Sequence, residues 1–464
     1  MRRWPVAFLF LAAGCSYYNG MYNANRLARA AEKADREGRT LAAQTLWGQV
    51  AVKAESALVH HPRSKWADDA LVLRGRALQH VGNCTAAVTP LERALAVTRQ
   101  PGLQQEAALA LGVCRERLGQ PDAALAALQR AALGAEPRHR AEVALLYGRA
   151  LRLAGRPADA LDVLRDSPDP RAAGERAASL AALGRVPEAI ALADSLLARA
   201  DTAAPWEAIF DGIGRSDGYA ASALVDRRLA LPETTPEQRA RWLLADGRRL
   251  GADSLPLALA RLEQAAGAAT ARIDLGGAAQ LAAARLELAA ARNTADLAAP
   301  ARRLGALAGG GSPQSPTARA LLAIITGIVS ADTLTAPASQ GDLRVFLFAE
   351  AARDSLAAPA VARMLFARLA TEWPASPYAP KALLAEAALS PPEAEALRDR
   401  VRLEYGTSPY LQLARGEDAP ELHHLEDSLL AYARGLVAVP EDRPRGRAPT
   451  PAPPAGRRRP ELEP

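Results

Sequence analysis

The sequence predicts an all-α fold, an α-solenoid of antiparallel helix pairs, and three observations predict it. Apolar residues make up 49% of the 464 but are dominated by Ala and Leu, with aromatics at only 5%. That mixture loses little on entering helices and is poor in strand formers. A pattern of small residues and leucines recurs at spacings of 37 and 36 residues in the first half of the chain. Near both ends a short segment recurs in which a helix breaker, a Ser and an aromatic stand in fixed order: HHPRSKW from His60, EWPASPY from Glu372 and EYGTSPY from Glu404.

In chain order the first element is a leader. In MRRWPVAFLFLAAGC, Arg2 and Arg3 form a basic start, Trp4 to Ala13 an apolar stretch, and Ala13-Gly14 a small-residue cleavage site. The stretch is too short to span a bilayer as a mature helix. The small residues ahead of Cys15 resemble a bacterial lipobox, with Ala12 where Leu is usual and Leu11 one place further out. That resemblance implies that residues 1–14 are a lipoprotein signal peptide and that Cys15 is the lipid-attachment residue, anchored durably by several acyl chains. Ser16 after the Cys implies, by the same resemblance, the outer membrane and a periplasm-facing chain. Net charge is +6, and removing Arg2 and Arg3 leaves 6 − 2 = +4. The cations are nearly all Arg, with Lys only at 33, 53, 65 and 381, and so small a charge predicts no nucleic-acid partner.

The array follows, expected over residues 15–200. Gly75, Gly112 and Gly148 begin equivalent segments; seven residues later come Gly82, Gly119 and Gly155, then Ala87, Ala124 and Ala160, then Leu91, Leu128 and Leu164. A fourth copy has Ala177, Gly184 and Ala189, at a spacing of 29. The first small residue lets two helices approach closely, and the second glycine terminates the first helix in a left-handed conformation. The Ala and Leu that follow recur on one face of the second helix. No pair can bury its apolar face alone, so neighbours must stack. These slots resemble the tetratricopeptide repeat (TPR) family, whose implied fold is a superhelix of such pairs. RWLLADGRRLGADSLPLALARLEQAA, from Arg241, keeps the pattern with a one-residue deletion.

The Ser-containing segments read as punctuation. Pro62 stops a helix and Ser64 caps the next; Pro374 and Ser376 do the same, with Pro377 at the first helical position. In the third copy Gly406 terminates, Ser408 caps and Pro409 follows. These hinges with their flanking aromatics resemble the repeats of the β-barrel assembly lipoprotein BamD and of TolA-binding proteins, from Cys15 to about Leu95 and from Leu356 to Gly416. Residues 200–220 carry no clean repeat, and GGGSPQSP at 309–316 reads as a flexible turn or linker. LRVFLFAEAARDSL, from Leu343, could begin as a short strand, but the surrounding Ala-rich pattern favours helix. The expected organisation is therefore a divergent helical stretch with loops over 201–335, BamD-like helical repeats over 336–438, and a disordered Pro/Arg-rich tail over 439–464. Arg457, Arg458 and Arg459 could touch anionic lipid or cell-wall polymer, against the alternative of a solvated tail without a specific partner.

Catalytic chemistry is sought and not found. Gly214-Arg215-Ser216-Asp217-Gly218 matches a nucleophile elbow, but that motif needs a preceding strand and a partner His, and EAIFDGI is no strand pattern. Adjacent His60-His61 and His423-His424 are poorly placed to chelate together, so no metal is expected, and no cofactor fingerprint occurs. Lytic transglycosylases carry similar Ala-rich solenoids, which keeps an enzyme in view, but they place a catalytic domain after the solenoid. Once Cys15 is acylated, Cys84 and Cys114 remain; an oxidising compartment allows a disulfide, while two separate small buried hydrophobes is the favoured reading. The TPR resemblance implies a concave binding face built from first-helix positions: Asp69, Val72, Arg76 and Gln79; Glu106, Leu109, Val113 and Glu116; Glu142, Leu145, Arg149 and Arg152. Its arginines suit peptide segments and carboxylates, against the alternative of a merely solvated face. The function expected is a non-enzymatic scaffold for envelope proteins or peptide segments, in β-barrel assembly or envelope organisation, with a Tol-system or peptidoglycan-associated adaptor as the alternative.

Overall fold

Packing of the repeats follows from the glycine–leucine slots. In a computed structural model of the chain, a Cβ built on Gly75, Gly112 or Gly148 would fall under 3.0 Å from the Cγ of Leu91, Leu128 or Leu164 respectively. Each leucine lies sixteen residues later, in the second helix of the same pair, and is wholly buried. The leucine therefore occupies the space a side chain would need. The fourth copy has alanine in both slots, Ala177 and Ala193, each buried. The terminators behave as their sequence predicts: Gly82, Gly119, Gly155 and Gly184 have φ of +88°, +70°, +74° and +71°. After each, the following N–H donates back to a carbonyl five residues earlier: Asn83 to Leu78, Gln120 to Arg115, Arg156 to Leu151 and Arg185 to Leu180. That bond closes a Schellman motif.

The structure describes residues 6–133, 139–251, 253–335 and 340–437, with side chains from Gly20 onward except those of Ala414 and 435–437. Residues 1–5 of the expected leader, the Cys15 side chain and the expected tail 439–464, with Arg457, Arg458 and Arg459, lie outside them. Among the described residues all regular structure is helical, and the chain is an all-α, TPR-like solenoid of consecutive antiparallel pairs. It divides into two units, Met1–Ser254 and Leu255–Pro464.

Among the described residues the first unit holds α1 (Val6–Arg36), α2 (Thr40–His60), α3 (Ala67–Val81), α4 (Cys84–Val97), α5 (Pro101–Arg117), α6 (Pro121–Leu133), α7 (Arg140–Leu153), α8 (Pro157–Leu164), α9 (Ala172–Ala182), α10 (Val186–Ala198), α11 (Trp206–Gly214), α12 (Gly218–Leu229) and α13 (Pro236–Leu250). Its interior is mostly alanine and leucine, which lets helix axes lie close; large exceptions are Trp47 of α2 and, near the unit's end, Trp206, Phe210 and Trp242, all buried. The stretch 200–220, expected to break the array, instead supplies α11 and the start of α12. Gly212 allows this, because a Cβ there would meet Ala181 of α9 at 2.6 Å. Arg228 of α12 is wholly buried, 5.6 and 5.2 Å from the Trp206 and Trp242 rings, and donates to Thr234 Oγ1 at 3.0 Å. In the weaker copy from Arg241, Gly251 follows α13 with an ordinary φ of −57°, so it is not a left-handed terminator.

The second unit holds α14 (Leu255–Ala268), α15 (Ile273–Ala290), α16 (Ala298–Ala308), α17 (Ser315–Asp332), α18 (Gly341–Asp354), α19 (Pro359–Glu372), α20 (Ala379–Leu389), α21 (Ala394–Glu404), α22 (Pro409–Ala414) and α23 (Glu421–Val437), with single 3-10 turns at Ala295–Leu297 and Pro391–Glu393. Larger side chains fill its core. The Phe346 ring lies 5.6 Å from Phe366 and 6.0 Å from Tyr378. The glycine-rich segment at 309–316 is a closed turn rather than a linker: Ser315 Oγ donates to the carbonyls of Leu307 (2.8 Å) and Gly310 (2.6 Å).

The three Ser-containing junctions share one geometry. Ser64, Ser376 and Ser408 each accept, on the hydroxyl, the N–H two residues on: Trp66 at 3.2 Å, Tyr378 at 3.2 Å and Tyr410 at 3.3 Å. Only Ser408 is a helix cap in the expected place, with Pro409 opening α22. Ser64 and Ser376 stand three residues ahead of their helices, which begin at Ala67 and Ala379. The Ser376 hydroxyl also donates to Asp342 at 2.7 Å. Nor does Gly406 act as a left-handed terminator, since α21 already ends at Glu404.

Candidate functional site

The first helices of the glycine repeats, α3, α5 and α7, turn one face to a hollow of about 170 Å³ in the first unit. Six of the expected residues line it: Arg76, Gln79, Glu106, Leu109, Val113 and Glu142. Leu109, Val113, Ala110 and Leu146 supply apolar wall, and Gln105, His80 and His139 add polar atoms that the sequence reading missed. Each missed residue is a chain neighbour of an expected one or stands at the mouth of α7, so a register widened by one position would have included most of them.

The remaining expected residues sit elsewhere. Val72 and Leu145 are buried in the packing between helices and present nothing to a partner. Asp69, on the first turn of α3, is half-buried; burial raises its carboxyl above the usual range, and the charges of Asp68 and Glu106 add to that. Glu116, Arg149 and Arg152 belong to a line of ion pairs that stitches successive first helices together. Arg76 is bracketed by Glu32 of α1 at 3.1 Å and Glu106 of α5 at 2.8 Å. Arg149 reaches back to Glu116 of α5 at 2.7 Å and forward to Glu175 of α9 at 4.0 Å. Arg152 meets the same Glu175 at 2.9 Å. The three arginines expected to greet a partner's carboxylates are thus already paired within the chain.

That pairing changes what the hollow can hold. With Arg76 and Glu106 paired to each other, its open polar character comes from Glu142, Gln79 and the two histidines. Such a set accepts hydrogen bonds from amides and favours cationic groups over carboxylates. His80 is held in place by stacking on Trp47, ring centroids 4.2 Å apart and 9° from parallel. Burial pushes its imidazole below the ordinary value; Arg76 and Arg117 push the same way, and Asp35 and Glu32 oppose them.

Cys84, opening α4, and Cys114, on α5, are joined as a disulfide with Cα atoms 4.9 Å apart. They do not stand as two separate small hydrophobes, the reading favoured from sequence. The bond links the first glycine pair to the next. Ser216 of the GxSxG match lies in the turn between α11 and α12, after a helix rather than a strand, and Asp217 caps α12 by accepting from Ala220 N at 2.9 Å. Among the described residues no group of three or more potential metal ligands occurs, and no helix is long and apolar enough to cross a membrane.

No family model and no curated protein matches the chain. Among solved structures it is similar to a tetratricopeptide repeat protein from Parabacteroides merdae, at 14% identity over 56% of this chain and 98% of that one, with a TM-score of 0.38. It is also similar to a human IFIT1 dimer with PPP-AAAA, at 13% identity over 84% of this chain and 87% of that one, with a TM-score of 0.31.

Proposed function

We propose that the chain is a non-enzymatic scaffold lipoprotein, tethered through Cys15 to the periplasmic face of the bacterial outer membrane, that holds extended peptide segments of envelope proteins. The process served is β-barrel assembly or envelope organisation, with a Tol-system or peptidoglycan-associated adaptor as the alternative. The observation that carries the binding role is the hollow across α3, α5 and α7, where Gln79, Glu106 and Glu142 stand over an apolar wall of Leu109 and Val113. Extended segments suit such a surface because their backbone amides find acceptors while their apolar side chains find the wall. Tethering rests on the leader's pattern of basic, apolar and small residues ahead of Cys15.

A photo-reactive residue at Leu109, with a matched one at Lys53 on the exposed face of α2, tests the binding role in intact cells. Adducts confined to the Leu109 probe are expected, and their identity separates barrel-assembly, Tol and murein partners. Equal adducts from both positions, or none from Leu109, defeat the proposal. Radiolabelled palmitate on wild type and Cys15→Ala tests the tether; label on neither refutes it.

A further inference from the structure

One cluster in the first unit takes no part in the line of ion pairs or in the hollow across α3, α5 and α7. Tyr22, Arg26 and Arg29 lie at i, i+4 and i+7 on α1, on the side away from the buried stripe Met21, Ala24, Ala28 and Ala31. Trp66, from the junction between α2 and α3, closes the other side of a hollow of about 170 Å³ against them. Lys65 lies 5.3 Å over the Trp66 ring. Tyr22 is 57% and Trp66 37% exposed, and Arg26, Arg29 and Lys65 are exposed too. Among the described residues none of these three cations meets a carboxylate, whereas Arg39, Arg74, Arg76, Arg115 and Arg149 of the same unit all do.

We propose that Tyr22, Arg26, Arg29, Lys65 and Trp66 form a docking surface for an anionic phospholipid bilayer. Two chemistries converge there. Tyr and Trp place an apolar body and a polar tip at the headgroup boundary. Unpaired Arg and Lys on the same face are drawn to a negative lipid surface. The alternative occupant, an acidic peptide, explains the cations but not two exposed aromatic rings. The surface begins seven residues after Cys15 and would lie against the bilayer that the tether reaches, so its biological setting rests on the proposed lipidation. It fixes the first pair against the membrane and leaves the hollow across α3, α5 and α7 to a partner.

The test uses the full chain with Cys15→Ala, so that no acyl chain contributes and the two proposals fail separately. Co-sedimentation is measured with vesicles of phosphatidylcholine alone and of phosphatidylcholine mixed with phosphatidylglycerol. Binding to the mixed vesicles only is expected, with a blue shift of tryptophan emission that Trp66→Phe removes. Each cation is worth about five-fold in partitioning, so Arg26→Gln/Arg29→Gln/Lys65→Gln should weaken binding about a hundred-fold. Lys53→Gln/Arg93→Gln/Arg99→Gln, which removes the same charge elsewhere in the unit, should change it little. No binding to mixed vesicles, equal losses in the two triple variants, or capture by polyglutamate but not by vesicles would each overturn the proposal. Far-UV circular dichroism of every variant excludes loss of fold.

Discussion

Gly112 and Leu128 offer the sharpest test of how the repeats are held together. Replacing Gly112 by Ala places a methyl under 3.0 Å from Leu128 Cγ and Cδ2, against a leucine with no exposed surface and nowhere to move. Overpacking of that kind costs about 1–3 kcal/mol, and the better helix propensity of Ala returns roughly 1 kcal/mol. Gly112→Ala alone should therefore destabilise by about 0–2 kcal/mol. Leu128→Ala alone opens a cavity and should cost about 2–5 kcal/mol. In the double variant the clash disappears and the new methyl fills part of the vacated space. Its loss should fall short of the sum of the single losses by about 1–3 kcal/mol. The fourth repeat is the precedent, since Ala177 and Ala193 already occupy these two slots. Urea unfolding of wild type, both single variants and the double variant, followed by far-UV circular dichroism, measures the coupling. Simple additivity, within about 0.5 kcal/mol, would refute the view that each glycine exists to admit its leucine.

Three further outcomes follow from the structure. Closing the loop between Cys84 and Cys114, 30 residues apart, should contribute about 3.6 kcal/mol by the chain-entropy model; Cys84→Ala/Cys114→Ala or added reductant should lower the first unit's unfolding midpoint, and identical midpoints would sink the pairing. His80 has its imidazole pushed below the ordinary value, so the unfolded chain binds the proton more tightly; thermal stability of the first unit should be full above about pH 6.5 and fall as the solution is acidified. His80→Phe, which keeps the stack on Trp47, should flatten that dependence, and an unchanged slope would count against it. Glu386 of α20 is buried, which raises its carboxyl, with Glu393 adding and Arg363 and Arg400 opposing. The protonated form is the one the fold favours, so stability is lost as pH rises through the folded pKa; Glu386→Gln should raise the second unit's melting temperature at neutral pH and leave it nearly unchanged below about pH 4.

Some of this fold was legible and some was not, for physical reasons. The small–glycine–alanine–leucine slots could be read because each expresses a constraint at a fixed chain offset: a close approach, a left-handed terminator, a buried face. Gly251 and Gly406 looked like terminators and are not, since the preceding helix ends without needing positive φ. Ser64 and Ser376 were legible as turn residues, but the start of the next helix depends on distant partners, such as Asp342 for Ser376. The disulfide had a signal in the register, since Cys84 opens the second helix of one repeat and Cys114 stands on the first helix of the next. The ion pairs had none. Arg76 and Glu106 are 30 residues apart, Glu116 and Arg149 33, and Arg152 and Glu175 23, so no single period reveals them.

Those ion pairs bear directly on how the first unit could bind. Within each pair, distance is set by glycine against leucine, an apolar contact insensitive to salt. Between pairs, Glu32, Arg76 and Glu106, then Glu116 and Arg149, fix one first helix against the next through partly exposed charges, while Arg152 of α7 meets the buried Glu175 of α9. The partly exposed contacts contribute little stability individually, on the order of 0.2–1 kcal/mol, and weaken in salt, whereas leaving Glu175 buried without Arg152 would cost about 3–5 kcal/mol. Stability in a stacked array is a sum of pair and neighbour terms, so a segment lying across α3, α5 and α7 would add to the weaker neighbour term rather than the stronger pair term. Binding in the hollow should therefore tighten the stacking of repeats while leaving each helix pair as it was, with Arg76 as the residue through which the two are coupled.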